Sequence, residues 1–254
     1  MFNTFSHLSV DALASLLFMF IIFFLFIGYG IFVLLHGRMS EKRLSGLSKI
    51  SFMRYFFESA GWATISIARF LARHNVSPNL VSVASLIAAM LSGFSFYNGH
   101  YGIGGILIFL SGLFDAWDGV IARFSNTASE AGEIFDLTAD RYSEFFIFAG
   151  LLLYYQHSPI LIFITFAVLH GSAMVTLASA KAELAHVKLS YNMFRKGGRV
   201  VLSGFGAIFA AFSTHGYPMI FVLIILAIGT NVVAIKNLYL VYTTLKKHNL
   251  PNTP

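Results

Sequence analysis

Four carboxylates, Asp115, Asp118, Asp136 and Asp140, lie in two stretches of sequence that are otherwise apolar enough to cross a membrane. An ionisable group at that depth is costly to keep and marks a functional site by default. The segment that holds them reads FDAWDGVIARFSNTASEAGEIFDLTAD. Asp115, Asp118, Gly119 and Ala122 fall at i, i+3, i+4 and i+7, which is one face of a helix. Gly132, Asp136 and Asp140 fall at i, i+4 and i+8, one face of a second helix. The chain between Arg123 and Gly132 is short and polar. The two helices are therefore expected to be antiparallel neighbours, with the four carboxylates converging.

Converging carboxylates do not all stay ionised without a compensating cation, because like charges oppose one another's ionisation. Oxygen-only ligands, with no His or Cys among them, favour hard Mg²⁺ or Mn²⁺. Two such ions would clamp a phosphoryl group and polarise its leaving oxygen. Gly119, Ala122 and Gly132 are small enough for a ligand to approach the backbone. Arg123 offers a planar fork for a phosphate. The chemistry this set implies is phosphoryl transfer.

The rest of the chain must position that site. It has 254 residues, 57% of them hydrophobic and 11% charged, with a mean hydropathy of +0.75. A soluble domain carries about 25% charged residues, so this is an all-α polytopic membrane protein. The absence of cysteine excludes disulfides, thiolate metal sites and cysteine nucleophiles. Apolar runs predict seven spans, over residues 12–35, 80–97, 102–122, 134–155, 159–180, 200–213 and 217–235. Residues 48–74 mix Arg54, Glu58, Arg69 and Arg73 with aromatic residues, as an amphipathic helix on the cytoplasmic surface does. Pro78 after Ser77 reads as a helix start.

Charge placement orients the bundle. Residues 1–11, 98–101, 156–158 and 214–216 contain no Lys or Arg, so all 17 basic residues fall on the other side. By the positive-inside rule the N-terminus is outside and the C-terminus cytoplasmic. The net charge of +6 thus reports topology, and no nucleic-acid partner is expected. At 1.5 Å per residue, Asp118 and Asp140 lie about 8–10 Å from the cytoplasmic helix ends. A soluble headgroup reaches them from water while acyl chains stay in lipid. The chain divides into an extra transmembrane helix with a basic loop (1–47) and a membrane domain (48–254).

With these residues in place, the sequence resembles the CDP-alcohol phosphotransferase family. The resemblance rests on two Asp three apart, Gly119, Ala122-Arg123, Gly132, Asp136 and Asp140, and covers about residues 74–245. It implies a six-helix core with the surface helix, and the extra N-terminal helix over residues 12–35 lies outside the usual family core. It implies Asp115, Asp118 and Asp136 as ligands of two ions, and Asp140 as the base that deprotonates the acceptor hydroxyl and as a further metal ligand. Asn79, Gly119, Ala122, Arg123 and Gly132 would line the nucleotide site. The implied donor is CDP-diacylglycerol, the product leaving is CMP, and the assembly is a homodimer in the bilayer.

Lys181, Lys188, Arg195, Lys196 and Arg199 form a basic loop that matches both a topology signal facing anionic lipid and a pocket for a phosphorylated acceptor. On the second reading Lys181, Arg195 and Arg199 bind the acceptor, a polyol such as inositol phosphate or glycerol 3-phosphate. Glu144 continues the Gly132–Asp136–Asp140 face by one turn and has two readings, orienting a ligand or pairing with Arg141, of which the pairing is the expected one. His170 is expected to pack. The alternatives are CDP-choline or CDP-ethanolamine-type transfer to diacylglycerol and, in a different class, a divalent-cation transporter.

Overall fold

A computed structural model describes residues 9–37, 51–190 and 192–248. These form eight helices: α1 (Val10–His36), α2 (Ser51–Arg73), α3 (Pro78–Tyr97), α4 (Tyr101–Phe124), α5 (Glu130–Tyr154), α6 (Pro159–Leu184), α7 (Lys196–Ala210) and α8 (Tyr217–His248). The described residues contain no strand. The basic stretch expected at residues 38–47 lies outside the described residues.

Five helices, α1, α3, α4, α6 and α8, are long and apolar enough to cross a membrane. The other two expected spans form as helices too. One, α5, concentrates acids in its first half. The other, α7, has 15 residues, about 22 Å at 1.5 Å per residue and shorter than a hydrocarbon core. It begins four residues earlier than the apolar pattern predicts. Gly198 makes this early start fit, because the Met193 carbonyl lies where a side chain would be.

Lipid tails are as apolar as leucine, so helix association here depends on close packing of small residues and on hydrogen bonds. The buried face of α3 is Ser82, Ser85, Ala88, Ala89, Ser92, Gly93 and Phe96. It packs against both α4 and α5. At the α3–α5 crossing the Gly93 carbonyl fills the place of a side chain at Gly150, and the Phe146 carbonyl fills that of a side chain at Gly93. Likewise Gly105 of α4 faces Gly204 of α7, whose carbonyl would lie 2.8 Å from an added Cβ. Through these crossings α3 holds α5 and α4 holds α7, while α3 and α4 pack on each other. A second layer, α6 on α8, completes the bundle.

The N-terminal pair is joined to this core. Asp11 of α1 caps α4, accepting from Gly102 N at 2.9 Å and Ile103 N at 2.8 Å. A carboxylate there satisfies orphan donors and complements the positive end of the helix dipole. The amphipathic segment forms α2, and its apolar face packs on α1 and α4. Phe56 meets Phe26, Phe109 and Phe205. Glu58, 2% exposed, accepts from Arg54 at 2.7 Å and from Tyr29 of α1 at 3.0 Å. The outward face of α1, with Phe20, Phe24 and Leu34, is apolar and exposed, as a lipid-facing surface is.

Candidate active site

The carboxylates meet where the C-terminal half of α4 faces the first half of α5. Asp118 is buried and accepts from Ser82 Oγ of α3 at 2.6 Å. Asp115, Asp118 and Asp136 each bring one oxygen within 4.8 Å of the others. Asp136 Oδ1 is buried with no hydrogen-bond partner among the described residues. A buried acceptor left unpaired is expensive. An orphaned carboxylate oxygen beside two more carboxylates fits a hard divalent cation.

Asp140 lies one turn beyond Asp136 and meets two cationic side chains. Its Oδ2 accepts from Arg141 Nη2 at 2.6 Å. Its Oδ1 is 2.9 Å from Lys196 Nζ. Lys196 also donates to Asp115 Oδ1, so one ammonium bridges α4 and α5. Sequence reasoning counted Lys196 among the loop cations and assigned it no place in the site. The available signal was its i, i+3, i+7 relation to Arg199 and Ser203, which appears once the helix is taken to begin at Lys196. Ser82 was missed as well, although it stands one turn after Asn79.

Beside Asp115 and Asp140 a cavity extends into the bundle. Lys196, Arg199, Ser111 and Ser203 form its polar wall, and Ile108, Ile147 and Phe148 its apolar end. Arg199 is 4% exposed. Its Nε donates to Glu144 Oε1 at 2.8 Å and its Nη1 to the Phe194 carbonyl at 2.8 Å. Glu144 pairs with Arg141 at 2.7 Å, as its spacing predicts.

The remaining expected site residues are spread around this centre. Asn79 is exposed in the first turn of α3, on the side that carries Ser82. Gly119 and Ala122 are half-buried on α4, and Arg123 is exposed in its last turn. Gly132 N donates to Ser129 Oγ at 3.1 Å, which caps α5. Lys181 is exposed in the last turn of α6, and Arg195 is exposed at the N-cap of α7. Neither lines the cavity, whereas Arg199 does. His170, expected to pack, is instead exposed on α6, because it is the neighbouring Gly171 that faces Thr230 and Asn231 of α8.

Fold and site together define a class: a membrane-embedded transferase of substituted phosphate groups, built around a cluster of carboxylates. The family model for CDP-alcohol phosphatidyltransferase matches residues 75–243, and the chain belongs to that family. Helices α1 and α2 precede the matched region. An archaetidylinositol phosphate synthase of Pyrococcus horikoshii is 29% identical over 146 residues, which is 57% of this chain and 76% of that protein. A phosphatidylinositol phosphate synthase of Mycobacteroides abscessus is 24% identical over 185 residues, 71% of this chain and 84% of that protein. The fold is that of the Mycobacterium tuberculosis phosphatidylinositol phosphate synthase. Its structure with CDP-DAG bound gives a TM-score of 0.63 at 24% identity, over 71% of this chain and 94% of that one. Its complex with manganese and citrate gives 0.64 at 24% identity, over 71% and 89%.

Proposed function

We propose that this protein transfers a phosphatidyl group from CDP-diacylglycerol to a phosphorylated polyol, inositol phosphate foremost, with release of CMP. The observation that carries this reading is the wall shared by two kinds of group. Asp115 and Asp140, which belong to phosphoryl transfer, line the same cavity as Lys196 and Arg199, which suit an acceptor phosphate. The two relatives above differ in the lipid part of their names and share inositol phosphate.

Asp115, Asp118 and Asp136 would hold Mg²⁺ or Mn²⁺, with Asp140 beside a second ion. Cations bound there would supply Lewis-acid polarisation of the phosphoryl oxygens and would offset charge on the leaving phosphate. The acceptor hydroxyl attacks the phosphorus that carries diacylglycerol. A new P–O bond forms, the P–O bond to the CMP phosphate breaks, and the hydroxyl proton passes to Asp140. Arg141 fixes one oxygen of Asp140, leaving the other directed at Lys196 and the cavity. Lys196 and Arg199 hold the acceptor phosphate by charge-assisted hydrogen bonds, which aligns the hydroxyl for attack. Asn79, Gly119, Ala122, Arg123 and Gly132 form the nucleotide side, and Lys181 and Arg195 supply positive charge at the entrance. The cavity's apolar end supports a reaction site over a path through the membrane.

The reading includes a cytoplasmic site, an outer N-terminus and a homodimer. The first two rest on the distribution of Lys and Arg, and the last on the family resemblance. The test of the reaction is release of CMP from CDP-diacylglycerol and Mn²⁺, with inositol phosphate, glycerol 3-phosphate, serine or inositol as sole acceptor. Release that depends on a phosphorylated polyol is the expected result. Failure with all four acceptors would remove the reading.

A further inference from the structure

Glu144 stands one turn beyond Asp140, and three helices converge on its carboxylate. Its Oε1 accepts from Arg199 Nε of α7 at 2.8 Å and from Ser172 Oγ of α6. Its Oε2 accepts from Arg141 Nη1 at 2.7 Å and from Arg199 Nη2 at 3.3 Å. A carboxylate has about four lone-pair positions, and four donors fill them here. No acceptor capacity is left for a metal ion or for a substrate hydroxyl. The two cations it holds are those with work to do at the site. Arg199 lines the cavity. Arg141 uses its other amino group to hold Asp140 at 2.6 Å.

We propose that Glu144 is a positioning residue, which sets Arg199 in the cavity wall and, through Arg141, the orientation of Asp140. The inference rests on the transfer reaction proposed above. Three features distinguish it from a plain structural ion pair. The carboxylate is saturated, its partners come from α5, α6 and α7, and both cations reach the reacting region, Arg141 through Asp140 and Arg199 by lining the cavity. Arg199 reaches the Phe194 carbonyl as well, and this keeps its guanidinium close to the wall when Glu144 is changed. The cost of losing Glu144 is then misplacement more than loss of the arginine.

The test uses the purified full-length chain in detergent, with three variants: Glu144→Gln, Glu144→Asp and Ser172→Ala. Acceptor KM, CDP-diacylglycerol KM and kcat are measured by CMP release. Glu144→Gln keeps the shape and loses the charge. It is expected to raise acceptor KM about 10-fold and lower kcat, with CDP-diacylglycerol KM within about 2-fold, the pattern of a lost orienting contact on one substrate. Glu144→Asp keeps the charge and is expected to recover acceptor KM to within about 3-fold of wild type. Ser172→Ala removes one donor and is expected to shift acceptor KM about 2-fold in the same direction, which serves if Glu144→Gln does not fold. Combined with Arg199→Lys, Glu144→Gln is expected to add little, because both act through one group. Wild-type acceptor KM in the folded variants, or equal changes in both KM values, overturns the proposal and leaves the parent reaction standing. No acceptor-dependent CMP from the wild type overturns the parent reading and this inference with it.

Discussion

Lys196, in the first turn of α7, sets its ammonium between Asp115 of α4 and Asp140 of α5, 2.9 Å from the latter. This bridge joins the two halves of the acidic motif to the basic wall of the cavity. It also places a cation against two carboxylates that would otherwise repel each other in a partly desolvated space. Replacing Lys196 with Met removes that neutralisation. The metal-free protein is expected to unfold several degrees lower, and saturating Mn²⁺ to recover more stability than it gives the wild type. Thermal unfolding of both proteins with and without Mn²⁺ checks this. Equal Mn²⁺ gains would mean that Lys196 does not share the carboxylates with the metal.

Asp140→Asn leaves the geometry near Arg141 and Lys196 but takes away the proton acceptor. A positioned general base contributes about 10²–10⁴-fold, so kcat is expected to fall by that factor. Metal-dependent binding of cytidine diphosphate, measured by titration calorimetry, is expected to persist. Near-normal turnover would move the base elsewhere.

Ser82 holds Asp118 from the neighbouring helix at 2.6 Å. Groups that orient a metal ligand from behind typically change metal affinity about 10–100-fold when removed. Ser82→Ala is therefore expected to raise the half-saturating Mn²⁺ concentration about 10-fold, with kcat at saturating metal little altered. The Mn²⁺ dependence of CMP release reads both. A fall in kcat at unchanged metal demand would contradict the assignment.

Asp11 ties α1 to the core through two backbone donors of α4. Hydrogen bonds to a charged group contribute about 1.5–3 kcal/mol, so Asp11→Ala is expected to cost about 2 kcal/mol of stability. Activity at low temperature is expected to survive, because the cap lies at the end of α4 far from Asp115. A loss of activity without loss of stability would show that α1 acts on the site itself.

Much of the architecture was legible because membrane constraints are strict. Apolar runs marked the helices, and the helical spacing of Asp115, Asp118, Asp136 and Asp140 placed them together. The expectation of an amphipathic segment over residues 48–74 matches α2 at Ser51–Arg73. What escaped was long-range pairing by short polar side chains. Ser82 gives no periodic signal, and its value comes from Asp118, 36 residues away. Asp11 sits at the end of the outer segment 1–11 with no signal of a partner, yet it caps a helix 91 residues later. Lys196 was hidden by the polar, basic stretch it belongs to, which ends where the apolar run begins at residue 200. Close packing of Gly198 against Met193 lets the helix begin at Lys196 instead. Arg199 was recognised, but its partner Glu144 was not, because α5 and α7 are joined only in three dimensions.

The central claim is that the acceptor carries a phosphate, held by Lys196 and Arg199 beside Asp140. A site built to hydrogen-bond a substrate group rejects an analogue lacking it by about 10⁴–10⁵-fold in the best cases. The most direct measurement compares kcat/KM for inositol phosphate with that for inositol, with CDP-diacylglycerol and Mn²⁺ saturating and the lipid product identified by mass spectrometry. The account predicts a preference of at least about 100-fold for the phosphorylated polyol, with a product that retains both phosphates. Equal use of the two, or a preference for inositol, would contradict it.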